Sequence, residues 1–141
     1  MTITTNSERE TSTVGKRLAA RLSPNTVVAL FGDLGAGKTA FVRGLAEGLG
    51  IAARVSSPTF TIVNEYPNIQ AAMPLFHFDM YRLATSDELY DIGWDDYLER
   101  GGIIAVEWSE NVEDALPPDC VTVRISKTDD SSRCIDINTE V

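Results

Sequence analysis

A glycine-rich stretch between Gly32 and Thr39 has the residue types and spacing that phosphate binding requires. Its sequence, GDLGAGKT, follows the pattern G-x-x-x-x-G-K-T. The glycines let the backbone curl so that successive N–H groups face one point, where phosphate oxygens can bind. Lys38 adds a positive charge for the outer phosphates, and the Thr39 hydroxyl is placed to ligate Mg²⁺. The residues predicted to line this phosphate site are Asp33, Leu34, Gly35, Ala36, Gly37, Lys38 and Thr39.

The segments on either side of this loop predict a strand and a helix. Val27 to Phe31 is an unbroken apolar run, typical of a buried strand. After the loop, apolar residues recur at helical spacing until Gly50, which predicts an amphipathic helix. Such a helix directs the positive end of its dipole at the phosphate site. We therefore expect this chain to bind a nucleotide.

The composition is that of a globular domain, and it narrows the classes of function. The 141 residues are 43% hydrophobic and 23% charged, which predicts one domain over residues 1–141, with residues 1–6 expected to be flexible. No apolar run is long enough to cross a membrane, and the first residues lack a basic stretch followed by an apolar one. We therefore expect a cytoplasmic protein without a membrane role.

Charge is distributed unevenly along the sequence, whose net charge is −9. Residues 86–119 contain eleven acidic side chains and one basic side chain, Arg100. An acidic chain is a poor direct ligand for nucleic acid, because such binding depends largely on neutralising phosphates. The acidic segment is either a solvated face or a docking surface for a basic partner.

Strand and helix patterns alternate through the first three quarters of the chain, which predicts a layered α/β fold. Ser7 and Glu10 form a capping-box pattern at the start of a helix predicted over residues 7–22. The remaining predicted elements are helices over residues 85–98 and 109–115, strands over 60–66, 75–81 and 103–107, and a hairpin of 121–125 with 134–137. The fold class is therefore α/β: a single-domain, three-layer α/β/α P-loop NTPase fold with a C-terminal β-hairpin.

Two carboxylates follow predicted strands and are candidates to complete the site. A phosphate-binding loop needs an acidic partner to hold Mg²⁺, usually at the end of an apolar strand. Glu107 ends a continuous apolar run and is the better candidate to hold the metal together with Thr39. Asp79 ends a more mixed and less clearly central strand, and it is the candidate to orient or deprotonate the attacking water. The reverse assignment, with Asp79 as the main metal ligand, stays open at this point.

Hydroxyl-bearing residues crowd the segment before the next strand, at Ser56, Ser57, Thr59 and Thr61. In P-loop proteins such a segment can reach the γ-phosphate and change its order with the nucleotide state. The same residues could equally begin an ordinary strand. Trp108, directly after the second candidate carboxylate, lies either near the nucleotide or in the packed core.

Three classes of P-loop protein compete for this sequence. A GTPase should carry N-K-x-D and D-x-x-G segments, and neither pattern occurs. A small-molecule kinase normally has an arginine-bearing lid, but the basic residues after Arg54 form no cluster. An ATPase that serves a partner or a conformational cycle is therefore favoured. A small-molecule kinase and a nucleotide-gated assembly factor remain alternatives.

Five linked motifs resemble those of the TsaE family, the bacterial P-loop ATPases of tRNA threonylcarbamoyladenosine biosynthesis. The motifs are GDLGAGKT, SPTFTIVNEY, HFDMYRL, DELYDIGWDDYL and VEWSE, in this order. The resemblance implies an ATP- and ADP-binding protein that works with TsaB and TsaD, while TsaC supplies threonylcarbamoyl-adenylate. The implied role of ATP hydrolysis is to let the TsaB–TsaD complex turn over repeatedly. The resemblance also implies that tRNA is held mainly by the partners, which agrees with the acidic composition.

The same resemblance implies roles for individual residues. Lys38 and Thr39 match the family's phosphate loop, and Glu107 matches its Mg²⁺-binding carboxylate. Asp79 matches the aspartate of its H-x-D-x-Y-R motif, which is implicated in catalysis, and Thr59 matches its S-P-T loop. The positions matched to residues at the nucleotide are Trp108, beside the site, and Thr11 and Arg133, near adenine or ribose. No arginine is an obvious finger in cis, so we expect slow hydrolysis alone and stimulation by the partners.

Overall fold

The computed structural model describes residues 1–33, 35–52, 54–56, 58, 62–68 and 73–141. Its strands are β1 (Thr2–Thr5), β2 (Val27–Phe31), β3 (Val63–Tyr66), β4 (Leu75–Asp79), β5 (Ile103–Glu107), β6 (Val121–Lys127) and β7 (Arg133–Ile137). Within the described ranges they form one sheet in the order β1-β7-β6-β2-β5-β4-β3. Strand β2 lies at the centre, parallel to both β5 and β6, and β4 is parallel to β5. Antiparallel pairs complete both edges, including the predicted β6–β7 hairpin.

Helices cover both faces of this sheet. They are α1 (Glu8–Ala19), α2 (Lys38–Gly48), α3 (Ser86–Asp91), α4 (Trp94–Tyr97) and a 3₁₀ helix (Ser109–Ala115). Neighbouring strand residues point to opposite faces, and in β2 Val28 packs with residues of α1 and α2, whereas Val27 packs with residues of α3 and α4. The predicted three-layer α/β/α fold is therefore confirmed. None of the helices in the described part of the chain is long and apolar enough to span a membrane.

Two inner strands carry the candidate carboxylates. All five residues of β5 are buried, as its continuous apolar run predicts. Strand β4 also lies inside the sheet, between β5 and β3, and its first four residues are buried. This inner position was harder to predict from the sequence of β4, because His77 occupies a buried position that usually holds an apolar residue.

Helices α1 and α2 pack closely on one face of the sheet. A Cβ atom on Gly44 would lie 1.7 Å from the Ser12 carbonyl oxygen, so a larger side chain could not fit between the two helices. Helix α1 begins as predicted, because the Ser7 hydroxyl oxygen accepts a hydrogen bond from the Glu10 N–H at 3.1 Å. This packing sets the start of α1 beside the loop that precedes α2.

The prediction of one continuous helix over residues 85–98 is wrong. The segment forms two short helices, α3 and α4, and the break occurs at Gly93, whose φ of 94° lies in the left-handed region. The break turns Trp94 and Tyr97 into the core, where both rings meet Phe78 edge to face. Burial of these aromatic rings against the sheet outweighs the continuity of the helix.

Residues 1–6, which were expected to be flexible, include a strand of the sheet. Thr2–Thr5 forms β1 and pairs antiparallel with β7 at the edge of the sheet. The Thr5 and Thr11 hydroxyl oxygens are buried and lie 2.7 Å apart, which joins β1 to α1. The partner strand lies at the opposite end of the sequence, so no local pattern could have revealed this pairing.

Candidate nucleotide-binding site

The predicted phosphate-binding loop connects β2 to α2. Gly37 directly precedes α2 and has a φ of 107°, a conformation that side chains other than glycine rarely adopt. Helix α2 then begins at Lys38, so its unpaired N–H groups and positive dipole end face the hollow of the loop. Two residues predicted to act here, Leu34 and Thr59, lie outside the described residues.

Lys38 is buried beside the loop and is only 5% exposed. Its ammonium nitrogen donates to the Gly32 carbonyl oxygen at 2.6 Å and lies 3.7 Å from the centre of the Trp108 ring. Burial lowers the pKa of Lys38, and the nearby carboxylates, led by Glu107, act in the opposite direction. Trp108 has a φ of 58°, which is rare for a bulky residue, and such conformations cluster at functional sites. The Lys38 ammonium group therefore lies between the Gly32 carbonyl oxygen and the face of the Trp108 ring.

The side chains of Thr39 and Glu107 converge at the start of α2. The Thr39 hydroxyl lies 3.3 Å from Oε1 and 3.5 Å from Oε2 of Glu107, and Glu107 is 4% exposed. Mg²⁺ commonly takes few protein oxygens and completes its coordination with water and phosphate oxygens. In the ranges that the structure describes, no group of three His, Cys, Asp or Glu side chains could hold a metal ion. The donors therefore fit Mg²⁺ bound together with a nucleotide, and they do not form a separate metal cage.

Asp79 lies directly opposite Glu107 in the parallel β4–β5 pair. Both strands end at these residues, so the two carboxylates lie side by side at the carboxyl ends of neighbouring parallel strands. Asp79 Oδ1 accepts a hydrogen bond from the Tyr81 N–H at 3.0 Å, and Asp79 lines the same cleft as Lys38 and Thr39. The contact with the Thr39 hydroxyl agrees with the prediction that Glu107 holds the metal together with Thr39.

A cleft of about 430 Å³ lies over the loop, and a cavity of about 310 Å³ adjoins it. The walls of both include Glu8, Gly35, Gly37 and Ala40, so the two spaces lie side by side. The first is also lined by the charged and hydroxyl side chains described above. The second lies between the start of α1 and the turn that joins β6 to β7. A nucleotide could therefore place its phosphates in the cleft and its nucleoside in the cavity.

Thr11 and Arg133, predicted near adenine or ribose, both line this second cavity. A Cβ atom on Gly37 would lie 3.7 Å from Cγ2 of Thr11 and 3.9 Å from Nε of Arg133. Arg133 Nε donates to the Ala36 carbonyl oxygen at 2.9 Å, and its Nη2 donates to the Gly35 carbonyl oxygen at 3.2 Å. The β6–β7 hairpin thus holds the outer side of the loop through one arginine.

Comparison with known proteins shows the family. The sequence model described as "Threonylcarbamoyl adenosine biosynthesis protein TsaE" matches residues 5–135. The chain belongs to the TsaE family. This assignment confirms the resemblance that the five sequence motifs indicated.

Individual relatives of this TsaE-family chain are similar over most of its length. A Bacillus subtilis protein named tRNA threonylcarbamoyladenosine biosynthesis protein TsaE is 45% identical over 124 residues, which cover 88% of this chain and 76% of the relative. A Treponema pallidum protein of the same name is 37% identical over 137 residues, which cover 97% of this chain and 99% of the relative. The crystal structure of Bacillus subtilus YdiB superposes with a TM-score of 0.79 at 38% identity, covering 96% of this chain and 82% of that one.

The structure also brings residues to the site that the sequence analysis did not identify. His77 contacts Glu107, with Nε2 2.5 Å from Oε2. Glu110 Oε2 accepts a hydrogen bond from the Gly32 N–H at 3.3 Å, and Arg43 lines the cleft. The period of two in a strand could have shown that His77 shares a face with Asp79. It could not have shown that β5 is the neighbouring strand.

We predict that Arg133→Ala weakens ADP binding roughly tenfold or more, because a hydrogen bond from a charged donor contributes about 1.5–3 kcal/mol. The substitution removes two hydrogen bonds that hold the loop carbonyls in place. Isothermal titration calorimetry measures the affinity, and Arg9→Ala, an exposed arginine on α1, is the matched control. Equal ADP affinities for the two variants would contradict the prediction.

Proposed function

We propose that this chain is a P-loop ATPase that supports threonylcarbamoyl transfer to adenosine in tRNA by driving turnover of the TsaB–TsaD complex. The proposal rests chiefly on the convergence of Lys38, Thr39, Asp79 and Glu107 on the same cleft. Membership of the TsaE family supports the pathway, since the relatives are named as tRNA threonylcarbamoyladenosine biosynthesis proteins. We further propose that the protein acts in the cytoplasm and reaches tRNA only through its partners.

In the proposed cycle, the phosphates of ATP occupy the hollow of the loop. Lys38 exchanges its hydrogen bond with the Gly32 carbonyl for contacts with β- and γ-phosphate oxygens. Thr39 and Glu107 would hold Mg²⁺, which would offset the negative charge of the phosphates. Asp79 orients or deprotonates the water that attacks the γ-phosphate in line, and we assign Thr59 to the same step.

In the proposed cycle the nucleoside end of ATP occupies the second cavity, which Thr11 and Arg133 line. Trp108 lies over the ammonium group of Lys38, so nucleotide binding changes the surroundings of its ring. This contact makes Trp108 a fluorescent reporter of the loop.

Hydrolysis by the isolated chain should be slow. Within the described residues Arg43 is the arginine that lines the cleft, and its Nε is engaged with the Val55 carbonyl oxygen at 3.0 Å. Arginine fingers accelerate phosphoryl transfer by 10³–10⁵-fold in roughly comparable P-loop enzymes. A partner that completes the site or releases Arg43 would therefore raise the rate strongly.

The decisive experiment measures release of inorganic phosphate from ATP by this chain, with and without the TsaB–TsaD complex. We expect slow release alone and a marked increase with the complex, and Lys38→Ala serves as the control for contaminating ATPases. Rapid hydrolysis that does not respond to the complex would contradict the proposal. Transfer of phosphate to a small acceptor, without free phosphate, would instead favour a small-molecule kinase.

A further inference from the structure

His77 is a fully buried polar side chain on β4, an inner strand of the sheet. It is 0% exposed, and its Nε2 lies 2.5 Å from Oε2 of Glu107, which is itself 4% exposed. Glu107 also accepts the Thr39 hydroxyl, which is 3.3 Å from Oε1. The Glu107 carboxylate therefore lies between the His77 imidazole and the hydroxyl of Thr39, which is predicted to bind the metal.

The hydrogen-bonding pattern indicates which ring nitrogen carries the proton. A carboxylate only accepts hydrogen bonds, so Nε2 must donate. The other ring nitrogen, Nδ1, is buried and has no hydrogen-bond partner in the described part of the chain. A proton on Nδ1 would bury an unsatisfied donor, so we assign the donating proton to Nε2.

Strand register explains why the imidazole reaches this carboxylate. In the β4–β5 pair, His77 lies opposite Ala105, and Asp79 lies opposite Glu107. Residues two apart in a strand share a face, so all four side chains point to the same side of the sheet. The small side chain of Ala105 leaves room for the ring of His77 beneath the carboxylate.

An apolar residue would suit this core position better if His77 only filled space, because a buried ring nitrogen without a partner is unfavourable. The cost is understandable if the ring has a task at Glu107. Groups that hydrogen-bond to a metal-ligating carboxylate orient it, and they commonly change metal affinity by 10–100-fold.

We propose that His77 is a positioning residue for Glu107. By holding Oε2, His77 fixes the carboxylate so that Oε1 stays beside the Thr39 hydroxyl, ready for a divalent cation bound with the nucleotide. This inference rests on the proposed function, because it concerns the cation that accompanies ATP or ADP. It assigns a second role within the H-x-D segment, distinct from that of Asp79.

The test compares His77→Leu, which removes the donor, with His77→Gln, whose amide nitrogen can replace Nε2. Mn²⁺ serves as the probe, and electron paramagnetic resonance measures its binding to each protein with ADP. We expect His77→Leu to weaken Mn²⁺ binding by about 10–100-fold and His77→Gln to stay close to wild type. Calorimetry with ADP in EDTA should give similar affinities for all three proteins. Wild-type Mn²⁺ affinity in His77→Leu, or equal losses in both variants, would overturn the proposal.

A double-mutant cycle separates positioning from general packing. In a Glu107→Gln background, His77→Leu should cause no further loss of Mn²⁺ affinity, because the group through which His77 acts has already changed. A further loss as large as in the wild-type background would overturn the proposal. If His77→Leu does not fold, His77→Asn replaces it, since its shorter side chain cannot reach Oε2. If the wild-type chain binds no ADP, the proposed function fails; if only the His77 variants behave unexpectedly, the positioning role alone fails.

Discussion

Replacing Lys38 with alanine should reduce ATP turnover by at least about a hundredfold, the usual loss when one preorganised charge-stabilising group is removed. Lys38 is buried at the start of α2, and its ammonium group already lies at the mouth of the predicted phosphate site. No other described lysine lines this cleft, and Arg43, which also lines it, donates from Nε to the Val55 carbonyl oxygen. The variant should also lose the fluorescence change of Trp108 on nucleotide addition, because the cation beneath that ring is absent.

Phosphate release measures the turnover of Lys38→Ala. Calorimetry measures its ATP binding independently of the Trp108 fluorescence. Lys16→Ala is the matched control, since Lys16 is exposed and forms a surface ion pair with Glu47. That variant should bind and hydrolyse ATP like the wild type, because surface ion pairs contribute little. An undiminished ATP response in Lys38→Ala would refute the assignment of the loop as the phosphate site.

Replacing Asp79 with asparagine should leave ATP binding intact and lower turnover by about 10²–10⁴-fold, the range for loss of a general base. Asparagine keeps the shape of the side chain and an oxygen able to accept the Tyr81 N–H. It cannot accept a proton from water. The expected separation of binding from turnover follows from the proposed roles, in which Glu107 beside the Thr39 hydroxyl holds the metal and Asp79 on the neighbouring strand acts on the water.

Calorimetry with ATP and Mg²⁺ measures the binding of Asp79→Asn, and single-turnover hydrolysis measures the chemical step. Asp87→Asn, an exposed carboxylate on α3, is the matched control and should change neither. Loss of Mg²⁺-dependent binding in Asp79→Asn would make Asp79 a metal ligand instead. If Asp79→Asn supported tRNA modification over many cycles, nucleotide occupancy rather than hydrolysis would be the functional event.

The loop and its flanking elements could be predicted because their determinants are local. The apolar run of β2, the glycine spacing and the helical periodicity of α2 all lie within residues 27–50. Gly37 illustrates the physical link, because its φ of 107° is the conformation that the motif needs at the helix start. The position of Glu107 could also be predicted from the sequence, because it is a charged residue at the end of a run of apolar residues buried on both faces of the sheet.

Features that depend on distant partners were missed or mispredicted. The pairing of β1 with β7 joins the two ends of the sequence, so residues 1–6 carried no sign of it. The break at Gly93 is stabilised by burial of Trp94 against Phe78, a contact that helix periodicity does not encode. The contact of His77 with Glu107 depends on the β4–β5 register. In each case the deciding energy comes from tertiary packing.

The sequence by itself therefore determined the fold class, the phosphate loop and the candidate carboxylates, since these follow from residue type and short-range spacing. Only the tertiary structure decided how they meet. The parallel register of β4 and β5 sets Asp79 opposite Glu107, and packing of α1 against α2 sets Thr11 beside Gly37. Strand neighbours and helix contacts are chosen by burial of the whole core, so short-range patterns cannot specify them.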